Sequence, residues 1–565
     1  MNWTHRKNGS TVLEVIEHRS GMSAEELMHP KYVSPYDIEN LGETLDVILT
    51  AIDSHKPIAV VGDYDADGIT ATAIMVELLR FLGSSPRYRL PRRMSEGYGL
   101  SDTVIDEIRH GLIITVDNGI SAFSAIEKAK KKGMQVLVLD HHLPQDALPD
   151  ADVIVDPHLH PDRNGYEHYC GAGLALKLTE MAMDAYNTEP ASMLLRRATS
   201  LAAIGTIADV MPLSGDNRRI VKDGLAIMQR DKKCLSAGLK TLLDTACPYS
   251  ITETDISFKV GPLLNAPGRM LDDGATLALE LLLSNSRYDA QKRAEKIAEL
   301  NELRKTQVSE AIDRIEAIIR DQCLYGCVPL CVVDEETSEG IVGIVTGRLA
   351  EKYKVPAFVF TKSNETGILK GSGRTFGDTN LMDVVLSAEE CLVRFGGHAA
   401  AAGLSVREAD YDEMCATMYE AMKGYDANEL SDDLEYDLEV TASDIPGINF
   451  ELQKYAPYGE GNPAPVFRIN DIVLSPRFGS RYRLMGADES HLKLFGNGFS
   501  AIGFGMAKQY LDSGCPAKLS IIGTVSENVF QYASEVQVEM SDFLPCPTEI
   551  RPSPLVNALR ANGTI

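Results

Sequence analysis

The 565-residue sequence lacks any uninterrupted apolar run long enough to cross a bilayer, although 44% of its residues are hydrophobic. No transmembrane helix is therefore expected. The first residues, MNWTHRKNGS, carry charge with no apolar core behind them, which argues against a signal peptide. The ten cysteines form no paired CxxC pattern. We therefore expect a cytoplasmic protein with reduced thiols, and no membrane partner.

Positive charge is also scarce. Lysine and arginine total 55 against 81 aspartate and glutamate residues, a net charge of −26. This balance argues against a surface that coats nucleic acid wholesale, but it permits a local basic channel. A carboxylate cluster that binds metal also contributes negative charge, which the bound ions partly cancel.

Three cysteines, Cys323, Cys327 and Cys331, recur at four-residue spacing. A metal or cluster site is one interpretation. However, VPLCVVD is typical of a strand and DQCLYG of a helix end, so the three thiols are not expected to share one face. Buried free thiols are the favoured interpretation.

Residues 46–285 alternate short apolar runs with helical segments. Four runs are apolar throughout: PIAVVGD, GLIITVDNG, MQVLVLDHH and ADVIVDPH. Strands of this kind are buried on both faces, and their alternation with helices predicts a parallel, doubly wound α/β sheet.

The rest of the chain divides into further segments. Residues 1–45 are predicted to form an N-terminal arm, and 547–565 a tail. The stretch 286–322 has no glycine or proline and predicts one long connecting helix, with a pair of packed helices as the alternative. A smaller α/β domain is expected over 323–429. Residues 430–546 combine short β runs with turn residues, which is typical of a β-barrel such as an OB-fold.

Acidic and imidazole side chains follow three of the predicted strands and one small-residue segment. They are Asp63, Asp65 and Asp67; Asp117; Asp140, His141 and His142; and Asp209 in AAIGTIADVMPL. Carboxyl ends of parallel strands meet at one sheet edge, so these groups are expected to converge. Like charges so close repel unless a cation holds them.

This set of oxygen and nitrogen ligands suits Mn²⁺ or Mg²⁺ better than a thiolate-bound zinc. There are enough candidate ligands for two ions, with one carboxylate bridging them. Paired ions of this kind serve in-line displacement at phosphorus. The residues alone therefore predict metal-assisted phosphodiester hydrolysis.

The same residues carry a family resemblance. GDYDADG, VDNG, DHH and GTIADVMPL resemble the four successive motifs of the DHH phosphoesterase superfamily, and GSGR and GGHAAAAG resemble its DHH-associated domain. EGYGLS, NAPGRM and YGEGNPAPVF are similar to the RecJ family of bacterial single-strand-specific DNA exonucleases. The match runs from about residue 50 to 545. It implies a DHH domain, a long helix, a DHH-associated domain and an OB-fold.

The resemblance also implies roles for individual residues. Asp117 matches the carboxylate that bridges the two ions, and Asp65 matches a ligand of one of them. The matches to ligands of the other ion are Asp67, His141 and Asp209. His142 matches an imidazole that approaches the scissile phosphate, and the supporting acidic residues are Asp63 and Asp140. The residues that match substrate-binding groups are Ser372, Arg374, His398, Asn265 and Arg269.

The sequence departs from the family pattern in three places. Val61 stands where some members carry a histidine ligand, and Leu263 stands where an arginine is usual. Thr337 and Ser338 replace a Trp-His pair. We expect weaker substrate contacts and a divergent member of the family, for example one from a mobile element.

The resemblance implies a Mn²⁺- or Mg²⁺-dependent exonuclease that degrades single-stranded DNA from the 5′ end in DNA repair and recombination. Single-stranded DNA is then the expected partner, with a single-strand-binding protein or a helicase as possible protein partners. One alternative is a DHH phosphodiesterase acting on short RNA or cyclic dinucleotides; such relatives are usually shorter and lack the barrel. The other is a non-catalytic RecJ-derived binding subunit, which would have lost its metal ligands.

Two basic segments are candidate nucleic-acid contacts. PRYRLPRR carries Arg87, Arg89, Arg92 and Arg93, which suggest a wall that tracks phosphates. RFGSRYR interleaves arginines with Phe478 and Tyr482, which suggests a platform for stacking bases, although an ordinary strand with a polar outer face fits equally well. The arginines in RFGSRYR are Arg477, Arg481 and Arg483.

Overall fold

The computed structural model describes residues 2–186, 188–363, 365–425, 433–477, 479–486, 488–531 and 533–546. The chain forms two compact units. The larger is Lys31–Ser431, and the smaller combines Met1–Pro30 with Asp432–Ile565. No helix in the described ranges combines the length and apolar character needed to cross a bilayer.

The first sheet of the larger unit has five parallel strands. Their spatial order is Arg87–Arg89, Ile58–Val61, Leu112–Val116, Gln135–Leu139 and Val153–Val155. The last four are the strands that the sequence predicts. Arg87–Arg89 was not predicted as a strand, because a three-residue edge strand with two charged side chains shows no apolar pattern.

The order of the strands creates a crevice above the sheet. The chain moves from Ile58–Val61 outward to the edge strand and then returns to Leu112–Val116 on the opposite side. Connections at the carboxyl ends of these two neighbouring strands therefore diverge, and ligand sites form at such switch points.

Helices and short helical turns cover both faces of this sheet and extend the core. They are Pro35–Asp37, Leu41–Asp53, Ala66–Phe81, Asp102–Glu107, Phe123–Lys131, Pro161–Arg163, Gly171–Met183, Glu189–Ala208, Gly215–Arg230, Ala237–Ala246, Glu253–Asp255, Ile256–Val260, Gly261–Met270 and Gly274–Leu282. The strands are buried on both sides, which explains their continuous apolar runs.

A single helix, Arg287–Asp321, connects the two lobes of the larger unit. The prediction of one helix is confirmed, and the alternative of two packed helices is wrong. Ala294 and Ile297 belong to the core beside the first sheet, whereas Val308 and Ile315 belong to a core of the second lobe. The helix is therefore anchored at both ends by apolar burial.

The second lobe contains a mixed five-stranded sheet. Its order is Leu392–His398, Ala401–Arg407, Ile368–Arg374, Ala357–Lys362 and Leu330–Val333, and only the last pair is parallel. Its helices and helical turns are Val342–Tyr353, Leu381–Ser387, Glu389–Cys391, Glu408–Asp410 and Tyr411–Ala421.

The three evenly spaced cysteines do not meet at a metal site. Cys323 is exposed, Cys327 is half-buried and Cys331 is buried in its strand, and all three are free thiols. No metal-capable group among the described residues contains them. The prediction of a buried thiol thus holds for Cys331 and is wrong for Cys323, which lies beyond the end of the connecting helix.

The smaller unit is built on a seven-stranded sheet. The order is Leu438–Thr441, Val466–Val473, Lys518–Phe530, Ala533–Pro545, Ser500–Gly503, His491–Phe495 and Tyr482–Met485. Trp3–His5 pairs in parallel with Leu434–Tyr436 as a separate two-stranded sheet. The helices are Val12–Ser20, Ala24–Met28, Ile445–Leu452 and Ala507–Asp512.

The predicted N-terminal arm over 1–45 is divided between the two units. Val12, Ile16 and Leu27 are buried in the core of the smaller unit, whereas Leu41 belongs to the core of the first sheet. Pairing between residues more than 400 positions apart leaves no local pattern, so the sequence did not reveal it. The predicted boundary at 429/430 and the tail 547–565 lie outside the described residues.

Asp437 ties the N-terminal segment to the smaller unit. Its fully buried carboxylate accepts hydrogen bonds from Asn8 Nδ2 (2.7 Å), Arg6 (3.2 Å), Arg19 (2.7 Å) and the backbone N–H of Val466 (2.7 Å). Burial opposes the charge, but these hydrogen bonds and the two guanidinium charges outweigh it and hold the pKa of Asp437 below its usual range.

We expect Asp437→Asn to destabilise the smaller unit by about 1.5–3 kcal/mol at pH 7, because two half-buried guanidinium groups lose the charge of a buried carboxylate partner. Because the pKa of Asp437 is lower in the fold than in the unfolded chain, its charge stabilises the fold at pH values above the unfolded-state pKa. This stabilisation is lost as pH falls through the native pKa, so the difference in stability between parent and variant should shrink below about pH 4. Thermal unfolding of both proteins across pH measures this. Asp512→Asn, at an exposed position, is the control; equal losses in both variants would contradict the role of Asp437.

Candidate metal centre

The predicted acidic and histidine residues converge above the crevice of the first sheet. Potential ligand atoms form three overlapping groups, each with all atoms within 4.8 Å of one another. The groups are Asp63, Asp65 and Asp117; Asp67, His141 and Asp209; and Asp117, His141 and His142. Asp117 and His141 each occur in two groups, so the three groups form one continuous cluster.

Asp65 and Asp63 occupy the turn between Ile58–Val61 and the helix Ala66–Phe81. Asp65 caps the helix, because its Oδ1 accepts the N–H groups of Asp67 and Gly68, each at 3.0 Å. A Cβ on Gly68 would lie 2.6 Å from the backbone nitrogen of Asp63. Glycine at this position therefore allows the helix to begin directly against the strand end, which brings the two carboxylates together.

Asp67 is fixed by a second helix far away in sequence. Its carboxylate accepts the N–H groups of Gly171 (2.7 Å) and Ala172 (3.0 Å), at the start of Gly171–Met183. A Cβ on Gly205 would lie 2.4 Å from Asp67 Oδ1. The sequence analysis did not identify Gly171 or Gly205 as residues of the site. The local signal at Gly171 was CGAG, a helix start made of small residues, which by itself indicates only close packing.

Asp117 follows its strand with a left-handed backbone, φ 60°. Its N–H donates to the carbonyl of Leu139 (2.9 Å), and its Oδ1 lies 3.0 Å from Nε2 of His141. A Cβ on Gly171 would lie 2.4 Å from the Cβ of Asp117. The centre of the cluster is therefore closely packed, with Asp117 only 3% exposed.

Asp140 organises the two histidines. Its Oδ1 accepts the N–H of His141 (2.8 Å) and contacts Nδ1 of His142 (2.7 Å), while its Oδ2 accepts the N–H of Ile120 (2.9 Å). Burial opposes the imidazolium of His142, but the hydrogen bond and charge of Asp140 outweigh it and raise the pKa of His142 to about 9. Burial lowers the pKa of His141, which favours the neutral, ligand form.

The carboxylates of the cluster repel one another in the absence of a cation. Burial, followed by the charges of neighbouring aspartates, raises the pKa of Asp63, Asp65, Asp117 and Asp209. One oxygen of Asp63 is buried without a hydrogen-bond partner. A hard divalent cation would relieve both costs, so the donor set fits Mn²⁺ or Mg²⁺.

A group of arginines without carboxylate partners in the described part of the chain lies beside the cluster. Arg93 stacks on the ring of Tyr64 at 3.8 Å, and Arg269 donates to the carbonyl of Gly340 (3.3 Å). Burial and then the charges of Arg93 and Arg304 lower the pKa of Arg269 to about 10. Mutually repelling cations near a metal site favour an anionic ligand.

Two other arginines of PRYRLPRR lie close to carboxylates and are therefore less available to bind phosphate. Arg89 forms ion pairs with Glu96 (2.7 Å) and Glu107 (2.9 Å), and Arg92 lies 3.8 Å from Glu96. The predicted phosphate-tracking wall is therefore wrong for Arg89, because Glu96 and Glu107 neutralise its charge.

The predicted substrate residues of the second lobe lie together on its sheet. Ser372 and Arg374 share a face of Ile368–Arg374, and Ala401 pairs with both Arg374 and His398. Arg374 donates to Ser372 Oγ (3.0 Å) and to the carbonyl of Gly373 (2.7 Å). Arg374 is the last residue of this strand.

Arg374 and Arg269 approach the same short segment. A Cβ on Gly343 would lie 2.9 Å from the guanidinium of Arg374, and a Cβ on Gly340 would lie 2.0 Å from the carbonyl oxygen of Arg269. The start of Val342–Tyr353 therefore brings the two arginines near each other. Asn265 lies on the helix of Arg269 and has a buried Oδ1 without a hydrogen-bond partner.

The three departures from the family pattern are accommodated structurally. Val61 is fully buried in its strand, and Leu263 is half-buried against the core. Thr337 donates to Asp334 Oδ2 (2.6 Å) and helps to end the strand Leu330–Val333. Ser338 has a buried hydroxyl without a partner among the described residues.

The aromatic and basic segment of the smaller unit offers little for base stacking. Tyr482 is half-buried against the core, with its ring centroid 5.3 Å from that of Tyr510, and Arg477 is paired with Glu535. Because part of the Tyr482 ring packs against the core, less of it is open to a base, and the stacking platform stays a prediction. Phe478 lies outside the described residues. Arg481 and Arg483 are exposed.

Three family models match the chain. The DHH family N-terminal domain covers residues 57–206, the DHHA1 domain covers 321–424, and the RecJ OB domain covers 436–542. The expected order of DHH, DHH-associated and OB domains is thereby confirmed, together with the mixed α/β architecture.

Similar proteins cover most of the chain. The single-stranded-DNA-specific exonuclease RecJ of Haemophilus influenzae is 33% identical over 82% of this chain and 82% of its own length. The same-named Bacillus subtilis protein is 30% identical over 92% of this chain, which spans 66% of that relative. RecJ from Thermus thermophilus, solved with Mn²⁺, is 28% identical with a TM-score of 0.75, covering 97% and 80% of the two chains. Its Mg²⁺ complex superposes with a TM-score of 0.71 at 27% identity, over 97% and 79%.

Proposed function

The chain belongs to the RecJ family of single-stranded-DNA-specific exonucleases, and from that membership we propose that it degrades single-stranded DNA from the 5′ end, in DNA repair and recombination. Mn²⁺ or Mg²⁺ is the proposed cofactor, because the cluster consists of carboxylates and imidazoles and because the Thermus relative was solved with each of these ions.

The observation that carries this proposal is the sharing of Asp117 between ligand groups. Asp117 belongs to one group with Asp63 and Asp65, and its Oδ1 lies 3.0 Å from Nε2 of His141, which also belongs to the group with Asp67 and Asp209. A shared carboxylate between two sets is the arrangement that two adjacent ions require. We assign Asp65 to one ion, and Asp67, His141 and Asp209 to the other, with Asp63 in support.

The residues of the chain prepare the site for hydrolysis. When bound, the ions would lower the pKa of an attacking water and neutralise charge at phosphorus. The helix start at Gly171 and Ala172 holds Asp67 in place without using a side chain. Asp140 orients the imidazole of His142, whose protonated form can donate a hydrogen bond to a phosphate oxygen.

The 5′ end of the DNA strand is proposed to bind beside Arg374 and Arg269. Arg374 is half-buried with no carboxylate partner in the described chain, and burial lowers its pKa. A 5′-phosphate would supply the missing anion, with Ser372, His398, Arg269 and Asn265 as further polar contacts. Binding the terminus would place the first internal phosphodiester at the cluster.

Digestion of end-labelled oligonucleotides tests the proposed function. Single-stranded and duplex DNA, single-stranded RNA, and 5′ and 3′ labels are compared with Mn²⁺, with Mg²⁺ and with chelator. We expect metal-dependent release of mononucleotides from the 5′ end of single-stranded DNA. Preference for RNA dinucleotides, release from the 3′ end, or binding without cleavage would each contradict the proposal.

The smaller unit is proposed to increase affinity for long strands. Because residues 1–30 belong to its core, a truncated protein must lack both 1–30 and the residues from 432 onward. We expect the protein of residues 31–431 to cleave short oligonucleotides at a rate close to that of the full chain but to bind long single strands more weakly. Equal affinity of both proteins for a long strand would contradict this role.

A further inference from the structure

Tyr98 contacts the metal cluster although it contributes no ligand atom. Its hydroxyl oxygen lies 2.8 Å from the backbone carbonyl oxygen of Asp117 and 3.1 Å from Nδ1 of His142. On the premise of the proposed function, we propose that Tyr98 is a positioning residue that holds Asp117 in the geometry needed to bind metal and keeps the imidazole of His142 beside it.

The backbone of Asp117 is the first reason. A left-handed conformation at a residue other than glycine costs about 1 kcal/mol or more and persists only where neighbouring groups hold it. The N–H of Asp117 is held by Leu139, and its carbonyl is held by the Tyr98 hydroxyl. Loss of that hydroxyl removes the hydrogen bond to the Asp117 carbonyl, so the backbone that orients the shared carboxylate is less restrained.

The two residues after Tyr98 show that this contact is part of a fitted surface. Leu100 N–H donates to Asn118 Oδ1 (3.1 Å), and Asn118 Nδ2 donates to the carbonyl of Val61 (3.1 Å). Gly99 has φ 66°, and a Cβ there would lie 3.0 Å from the Cβ of Asn118. The segment 98–100 therefore packs closely against the turn that contains Asp117.

His142 is the second target of the same hydroxyl. The hydroxyl proton is directed to the carbonyl of Asp117, and Nδ1 of His142 is already paired with Asp140, so the hydroxyl oxygen can accept a hydrogen bond from Nε2, 3.3 Å away. The rings of Tyr98 and His142 meet edge to face, with centroids 5.4 Å apart. Asp140 and Tyr98 thus restrain the imidazole from two sides, and one hydroxyl links it to the shared ligand.

A different role for Tyr98 makes different predictions. The residue is 48% exposed, so its ring could instead stack on a DNA base. Stacking depends on the ring, which phenylalanine retains, whereas positioning depends on the hydroxyl, which phenylalanine lacks. Tyr98→Phe therefore separates the two roles.

The test is Mn²⁺ binding to metal-free full-length protein by titration calorimetry, with steady-state kinetics across Mn²⁺ concentrations. For Tyr98→Phe we expect the Kd for Mn²⁺ to rise about three- to tenfold, as for loss of one neutral hydrogen bond. We also expect kcat to recover in excess Mn²⁺ and KM for DNA to remain unchanged. Tyr288→Phe, 79% exposed on the connecting helix, is the matched control.

Unchanged Mn²⁺ affinity in Tyr98→Phe would overturn the proposal, whatever happens to the rate. A raised KM for DNA with unchanged Mn²⁺ affinity would assign Tyr98 to base stacking and overturn it as well. The calorimetric readout needs no substrate, so it is independent of the proposed reaction. If the parent protein binds Mn²⁺ but does not degrade DNA, the proposed function fails while the role of Tyr98 stands or falls on the titration.

Discussion

Asp117→Asn should reduce hydrolysis of single-stranded DNA to below about 1% of the parent rate, because a shared carboxylate contributes to binding of both ions. The substitution keeps the size of the side chain. It also leaves the backbone contacts of Asp117 with Leu139 and Tyr98 in place. We therefore expect a folded protein that has lost metal binding and activity together.

The stability of this variant gives a second readout. Burial and neighbouring carboxylates raise the pKa of Asp117, so its charge is unfavourable in the metal-free fold. Metal-free Asp117→Asn should melt at or above the temperature of the parent, and Mn²⁺ should stabilise it less. Asp412→Asn, at an exposed helix position, should change neither property. A folded Asp117→Asn protein with more than a few per cent of parent activity would rule out the shared-ligand assignment.

Arg374→Ala should slow digestion of 5′-phosphorylated strands by about ten- to a hundredfold, the loss of one charge-assisted contact of about 1.5–3 kcal/mol. Strands with a 5′-hydroxyl should be slowed much less. The structural reason is that the Arg374 guanidinium contacts Ser372 and the Gly373 carbonyl but has no carboxylate partner in the described chain.

The ratio of the two rates is the informative measurement, because a damaged fold would slow both substrates equally. Arg407→Ala is a matched control, since Arg407 lies at the end of a strand in the same sheet and is paired with Asp410. If Arg374→Ala left the ratio unchanged, Arg374 would not recognise the terminal phosphate. End preference would then require steric exclusion in the channel.

Much of the cluster could be predicted because its candidate ligands lie next to strand ends. Asp65, Asp117 and His141 each follow an apolar run within a few residues, and parallel strands end at a common edge. Adjacency to a recognisable local element is therefore enough to place such a ligand. The individual roles of these residues stay predictions until the variants are measured.

The supporting contacts could not be predicted in the same way. Gly171 and Ala172 bind Asp67 from more than 100 positions away, and Tyr98 reaches Asp117 from a loop. Hydrophobic periodicity carries no information about which distant segments meet. The same limitation explains why Arg89 was expected to be available, although Glu107 neutralises it.

The sequence by itself determined the alternation of strands and helices and the set of candidate ligands, since each depends on residues close together in the chain. It left one connecting helix and a pair of packed helices as alternatives, and the structure decided for one. Only the tertiary structure decided that residues 1–30 complete the smaller unit, that part of Tyr482 packs against the core, and that the Tyr98 hydroxyl donates to the Asp117 carbonyl. Those outcomes depend on pairing and packing between distant segments, which are selected by the free energy of the whole fold rather than by local preference.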